Sequence, residues 1–225
     1  MKKFKIFIAC DTTNIEKVKN IIKITKDPKI KIGYKFGLEF INSRNGRKFL
    51  SKLKNQIIFL DLKLNDIPNT CLSAVKAIKD LNVNYLTVHI SSGYETLKAV
   101  KHASGKTKIV GVTTLTSLDN KSLREIGYNK SVKSLVINQA KLAKKAKLDA
   151  LVCSAKEVKS VKNYFKKELI TPGVRLNSTN NDQKRVTTPI DAFKYGSDWI
   201  VIGRPITKGN IKKNFYSLIN HLKND

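Results

Sequence analysis

Ile57-Ile58-Phe59-Leu60-Asp61-Leu62-Lys63-Leu64-Asn65-Asp66-Ile67-Pro68-Asn69-Thr70 runs from four apolar residues into three charges and a proline. An apolar run that ends in charges reads as a buried strand reaching a polar mouth. The charges follow a D-x-K-x-x-D spacing. Burying them is costly unless they pair, so three together point to chemistry. Side chains alternate along a strand, so Asp61 and Lys63 share a face and Leu62 points away. Asp66 lies past the strand end. It aims outward, where a neighbouring subunit could use it; alternatively, Asp66 or Asn69 caps the next helix, with Pro68 pre-setting the first turn.

Outward from this stretch, short apolar runs recur at 5–10, 30–33, 57–62, 85–90, 109–115, 150–153, 169–171 and 199–202. Nearly continuous apolar character is expected of parallel strands covered on both faces. Helical periodicity fills the intervals: Leu72, Val75 and Ile78 form one stripe, and Val132, Leu135, Val136, Ala143 and Ala146 another. Eight such units without a linker or composition break predict one domain over residues 1–225, a single (β/α)8 TIM barrel of the α/β class. A doubly wound open sheet is the alternative.

The barrel reading places function where strands end. Asp11 ends the first run, Lys31 lies in the second, and Asp61 and Lys63 end the third. His89 lies in the fourth, where it reads as a hydrogen-bonded strand residue. The fifth runs into Thr116 and Ser117, the seventh into Arg175, and the eighth into Gly203 and Arg204. A lysine between carboxylates keeps its proton. It suits stabilising a carbanion and then protonating it, not Schiff-base chemistry. Arg204, placed after a buried strand and Gly203, reads as a phosphate ligand, where such barrels often hold phosphate, whereas Arg175 and Arg185, each taken alone, read as solvated loop charges.

Composition narrows the setting. The chain has 225 residues, 41% of them hydrophobic, enough for a sizeable core. Three scattered cysteines argue against a disulfide framework and for a reducing compartment. No Cys/His cluster suggests a metal. The N-terminal apolar run is too short for a signal peptide or a membrane span. A cytoplasmic location and no membrane partner are expected. Net charge is +27, from 44 Lys+Arg against 17 Asp+Glu. The lysines are scattered along solvated helix faces, so no dedicated nucleic-acid partner is expected.

Together these residues resemble the orotidine 5′-phosphate decarboxylases of the shorter prokaryotic type. DLKLNDIPNT (61–70) is close to that family's signature. IACD (8–11), KIG (31–33), TVH (87–89), VTTLTS (112–117), VCSAKE (152–157), TPGVR (171–175), DQKRV (182–186) and VIGRPIT (201–207) follow in the same order. The resemblance implies cofactor-independent and metal-independent decarboxylation of orotidine 5′-phosphate to UMP, the last step of de novo UMP synthesis. It implies Lys63 as the proton donor to C6, and Asp61 as the group facing the substrate carboxylate. Lys31 and Asp11 would engage the ribose and continue the network. Asp66 and Thr70 would reach a neighbouring subunit's substrate, making a homodimer with shared active sites. Thr116 and Ser117 would contact the base, and Arg175, Gln183, Gly203 and Arg204 the phosphate. The sequence departs from the family pattern at Lys147, where a glycine often closes the helix before the sixth strand, and in the 176–181 stretch, which is slightly short. The rivals are a magnesium-dependent enzyme on a sugar phosphate, and a nucleic-acid-binding barrel.

Overall fold

The computed structural model describes residues 4–176 and 187–223. Eight parallel strands close into a barrel in chain order. They are β1 (Phe4–Ala9), β2 (Ile30–Gly37), β3 (Ile57–Leu64), β4 (Tyr85–His89), β5 (Lys108–Val112), β6 (Ala150–Val152), β7 (Glu168–Thr171) and β8 (Trp199–Ile202). Closure is direct: Ile6, Phe7 and Ile8 of β1 pair with Ile200, Val201 and Ile202 of β8. An open sheet would leave both edges unpaired, so the doubly wound alternative is excluded.

Helices fill the intervals. They are α1 (Ile15–Ile24), α2 (Leu38–Ile41), α3 (Gly46–Lys52), α4 (Pro68–Ala77), α5 (Tyr94–Ala103), α6 (Asn120–Glu125), α7 (Val132–Lys145), α8 (Val158–Lys162), α9 (Pro189–Lys194), α10 (Arg204–Thr207) and α11 (Ile211–Lys223). None of the described helices is long and apolar enough to cross a membrane. Helix α7 buries Val132, Val136, Ala140 and Ala143; of the expected stripe, Leu135 is only half-buried and Ala146 is buried at the C-cap, while Ala140 joins the buried face. The chain then turns through Lys147 at φ +58°, the left-handed conformation expected there for a glycine.

Strand alternation divides the core in two. Ile6 and Ile8 of β1 pack outward with the helices. Phe7 and Ala9 point inward with Phe59, Tyr85, Val110, Ile170, Trp199 and Val201. Phe7 stacks on Trp199 at 4.1 Å between ring centroids and meets the edge of Tyr85 at 5.3 Å. Beneath these rings, at the strand N-termini, Glu168 accepts hydrogen bonds from Tyr85 and Lys108 at 3.0 and 2.8 Å. This end of the barrel is filled, leaving the opposite mouth for a ligand.

Strand β2 is longer than the apolar run 30–33 suggested. Gly33 reads as a strand end but lies mid-strand. A Cβ there would fall 2.6 Å from the Phe7 ring, so glycine makes room for the aromatic plug. Beyond it, Tyr34 and Phe36 are buried in the outer shell, and the strand continues to Gly37. That extension moves the functional end of β2 four residues past Lys31.

Candidate active site

Lys35, not Lys31, completes the charged network. Lys31 is exposed near the start of β2 and pairs in register with Lys5, at the filled end of the barrel. Lys35 has the same strand parity, and four residues on, at about 3.3 Å per residue, it lies about 13 Å nearer the mouth. Its Nζ is 3.0 Å from Asp11 Oδ1 and 3.4 Å from Asp61 Oδ2. Lys63 Nζ lies 2.8 Å from the same Asp61 oxygen. The four groups alternate in sign: Asp11, Lys35, Asp61, Lys63. The signal for Lys35 was present in the sequence, because Tyr34-Lys35-Phe36 continues the alternation past Gly33.

Burial sets the electrostatics. Burial alone would push the Asp61 carboxyl up. The ammonium groups of Lys35 and Lys63, with hydrogen bonds from Lys63 and Thr87, outweigh it and hold Asp61 below the ordinary carboxylate value. For Lys35, burial alone would lower the pKa. Asp61 and Asp11 outweigh it, so the ammonium is held above its usual value. Burial and the nearby Lys63 charge lower His89. Lys35 and Asp61 are each only 12–13% exposed, whereas Lys63 is 35% exposed and open to a ligand.

Asp61 and Lys63 do share the mouth, but simple alternation is not the reason. Lys63 has φ +51°, and the β3–β4 register breaks between Leu60 and Leu64. Leu62 packs outward against the helix shell. Sequence reasoning assigned no role to Thr87, which is fully buried opposite this break.

The cleft above the network has two lobes. One, about 500 Å³, is lined by Asp11, Lys35, Asp61, Gly173, Arg175, Gly203, Arg204 and their neighbours. Gly203 follows β8 directly, and Arg204 opens α10. The other, about 160 Å³, is lined by Lys35, Asp61 and Lys63 with Val112, Thr114, Leu115, Thr116 and Val152. Thr116 is therefore in the cleft, while Ser117 is exposed and lines neither lobe. The loop before Thr116 is tied down by Gln139 of α7, whose Oε1 accepts from the Thr114 amide at 2.8 Å and hydroxyl at 3.1 Å. Gln183 and Arg185 lie outside the described residues.

Asp66 and Thr70 are exposed and line neither lobe of their own chain's cleft. Pro68 does open α4, but the residue before it, Ile67, occupies the cap position without a side-chain cap bond. Neither Asp66 nor Asn69 caps this helix. Asp66 Oδ1 instead accepts the adjacent Ile67 amide at 2.7 Å. Ile67 itself is 66% exposed.

The arrangement offers one accessible ammonium beside a buried carboxylate, a small lobe walled by apolar groups and threonines, and a larger lobe with two guanidinium groups. Known proteins share the sequence and the fold. A protein of Wolbachia sp. subsp. Brugia malayi named orotidine 5′-phosphate decarboxylase is 45% identical over 223 residues, 95% of this chain and 96% of its own. One from Ehrlichia chaffeensis with the same name is 52% identical over 155 residues, 67% of each chain. The crystal structure of orotidine 5′-phosphate decarboxylase from Lactobacillus acidophilus superposes with a TM-score of 0.82 at 30% identity, over 97% of this chain and 98% of that one. Residues 5–214 match the family described as orotidine 5′-phosphate decarboxylase / HUMPS. With that match over most of its length, the chain belongs to the orotidine 5′-phosphate decarboxylase / HUMPS family.

Proposed function

We propose that this chain decarboxylates orotidine 5′-phosphate to UMP and carbon dioxide, the last step of UMP biosynthesis, and works as one barrel domain over residues 1–225. The observation that carries the reading is the alternating Asp11–Lys35–Asp61–Lys63 row, continuous with a lobe holding Arg175, Gly203 and Arg204.

The phosphate occupies the larger lobe, where arginines match its geometry and Gly203 lets the backbone approach. The pyrimidine enters the smaller lobe beside Thr116. Asp11 and Lys35 face the ribose between them. This places the carboxylate on C6 toward Asp61, whose charge is fixed by its two lysines. Like charges disfavour the bound ground state. The bond from C6 to the carboxylate breaks, carbon dioxide leaves, and the electron pair stays on C6. Lys63 meets that developing charge with a preorganised ammonium and then gives its proton to C6. Phosphate binding, remote from C6, supplies energy for ordering and desolvating the site.

Asp66 and Thr70, exposed beside Ile67, serve the ribose of a second copy's substrate, so the working unit is a homodimer. The enzyme acts in the cytoplasm. Its scattered positive charge is a general surface property with no dedicated nucleic-acid partner.

The test is loss of orotidine 5′-phosphate absorbance in EDTA, for wild type and Lys63→Ala. Turnover in the first and almost none in the second is expected. Equal rates would remove Lys63 from its role. Activity that appears only with magnesium and a sugar phosphate would replace the reading with its metal-dependent rival.

A further inference from the structure

We propose that Thr87 is the positioning residue of the Asp61–Lys63 pair, acting by closing a gap in the sheet beneath it. The kinetic part of this inference rests on the decarboxylase reading, and the structural part does not.

The gap is visible in the register. Strand β3 advances from Leu60 to Leu64 while β4 advances only from Leu86 to Val88. Asp61, Leu62 and Lys63 therefore stand opposite Thr87 alone. Such a bulge interrupts the backbone ladder and re-aims the side chains it carries. Here it lets Asp61 and Lys63 meet at one mouth while Leu62 packs outward. The arrangement requires Lys63 at φ +51°, a conformation unfavourable for a side chain with a Cβ, which persists only where its surroundings hold it.

Thr87 supplies that hold. Its Oγ1 accepts the Lys63 amide at 2.7 Å, standing in for the backbone carbonyl that the broken ladder no longer presents. The same hydroxyl donates to Asp61 Oδ1 at 3.1 Å. A threonine hydroxyl has one proton to give, and here it goes to the buried carboxylate. Asp61 is thereby divided: Oδ1 takes Thr87, and Oδ2 takes both Lys63 and Lys35. Rotation of the carboxylate would break one set or the other. Thr87 is fully buried on the interior face of β4, below the cleft, and so acts through these two residues without touching substrate.

The experiment pairs Thr87→Val, which keeps shape and loses the hydroxyl, with Thr87→Ser, which keeps the hydroxyl. Hydrogen exchange of the Lys63 amide is followed by NMR beside steady-state kinetics on orotidine 5′-phosphate. The wild-type amide is expected to be protected. Thr87→Val should lose that protection and drop kcat by roughly 10- to 100-fold, the size of effect that misplacing reacting groups produces, with little change in KM. Thr87→Ser should restore both readouts. A freely exchanging Lys63 amide in the wild type overturns the contact, whether or not the valine variant folds. Wild-type kcat in a folded Thr87→Val protein overturns the positioning role. A wild type that protects the amide but does not turn over orotidine 5′-phosphate overturns the decarboxylase reading and supports the contact.

Discussion

The ammonium of Lys35 sits 3.4 Å from Asp61 Oδ2, both groups almost buried at the barrel mouth. Lys31, on the same strand, is exposed at the filled end. Lys35→Ala should therefore cost activity by about 100- to 1,000-fold, the scale seen when one preorganised charge-stabilising group is removed. Lys31→Ala should leave kcat/KM within about two-fold, as expected for a group that meets neither ground nor transition state. Parallel assays of the two variants decide between the lysines.

The same pair gives a pH signature in stability. Asp61 is held below its ordinary value of 3.8, so its contribution is complete above that pH and is lost as pH falls through the lowered value. Lys35 is held above its ordinary value of 10.5, so its contribution is complete below that pH and is lost as pH rises through the raised value. A double-mutant cycle of Lys35→Met and Asp61→Asn, followed by chemical denaturation, should give a coupling energy flat between about pH 5 and pH 9. A coupling that changes steadily through neutral pH would contradict the assignment.

Gly33 and Phe7 make a separate prediction about the plug. The Cβ of Gly33→Ala would meet the Phe7 ring at 2.6 Å and the Ile57 carbonyl at 3.0 Å. Phe7 is stacked on Trp199 and has little room to move. Overpacking of this kind costs about 1–3 kcal/mol. Urea unfolding of Gly33→Ala should show that loss, with an unchanged denaturant slope.

The larger lobe of the cleft carries Arg175 and Arg204, and the smaller one Lys63. Arg204→Ala should raise KM for orotidine 5′-phosphate and also lower kcat. The nucleoside orotidine, lacking the phosphate, should lose turnover as well as affinity on the wild-type enzyme, because remote binding energy is used at the reacting carbon. An effect confined to KM in both experiments would show that phosphate binding is uniform through the reaction.

The exposed Asp66 supports a test of shared sites. Lys63→Ala and Asp66→Ala proteins should each be nearly inactive. After mixing and exchange, random pairing makes half of the dimers mixed, each with one complete site, so about a quarter of wild-type activity should return. Light scattering should report a dimer throughout. A monomer, or no recovery on mixing, would confine the site to one chain.

The local sequence determined a good deal. Apolar runs at strand length, separated by helical stripes, specify parallel β/α units because each pattern buries one kind of surface. Eight of them gave the barrel. Asp61, Lys63, Asp11 and Arg204 were legible as residues of the barrel mouth because charges beside buried strands have few structural uses, whereas Arg175 entered through the family resemblance. Tertiary structure decided the rest. Gly33 marked no strand end, because the space it leaves is taken by Phe7 from the neighbouring strand. Lys35 rather than Lys31 joined the network because strand length, which depends on pairing across the barrel, sets which residue reaches the mouth. Thr87 gained its place because a bulge in β3 leaves the Lys63 amide without a ladder partner. Periodicity along one strand cannot report such a break, because it exists only between two strands.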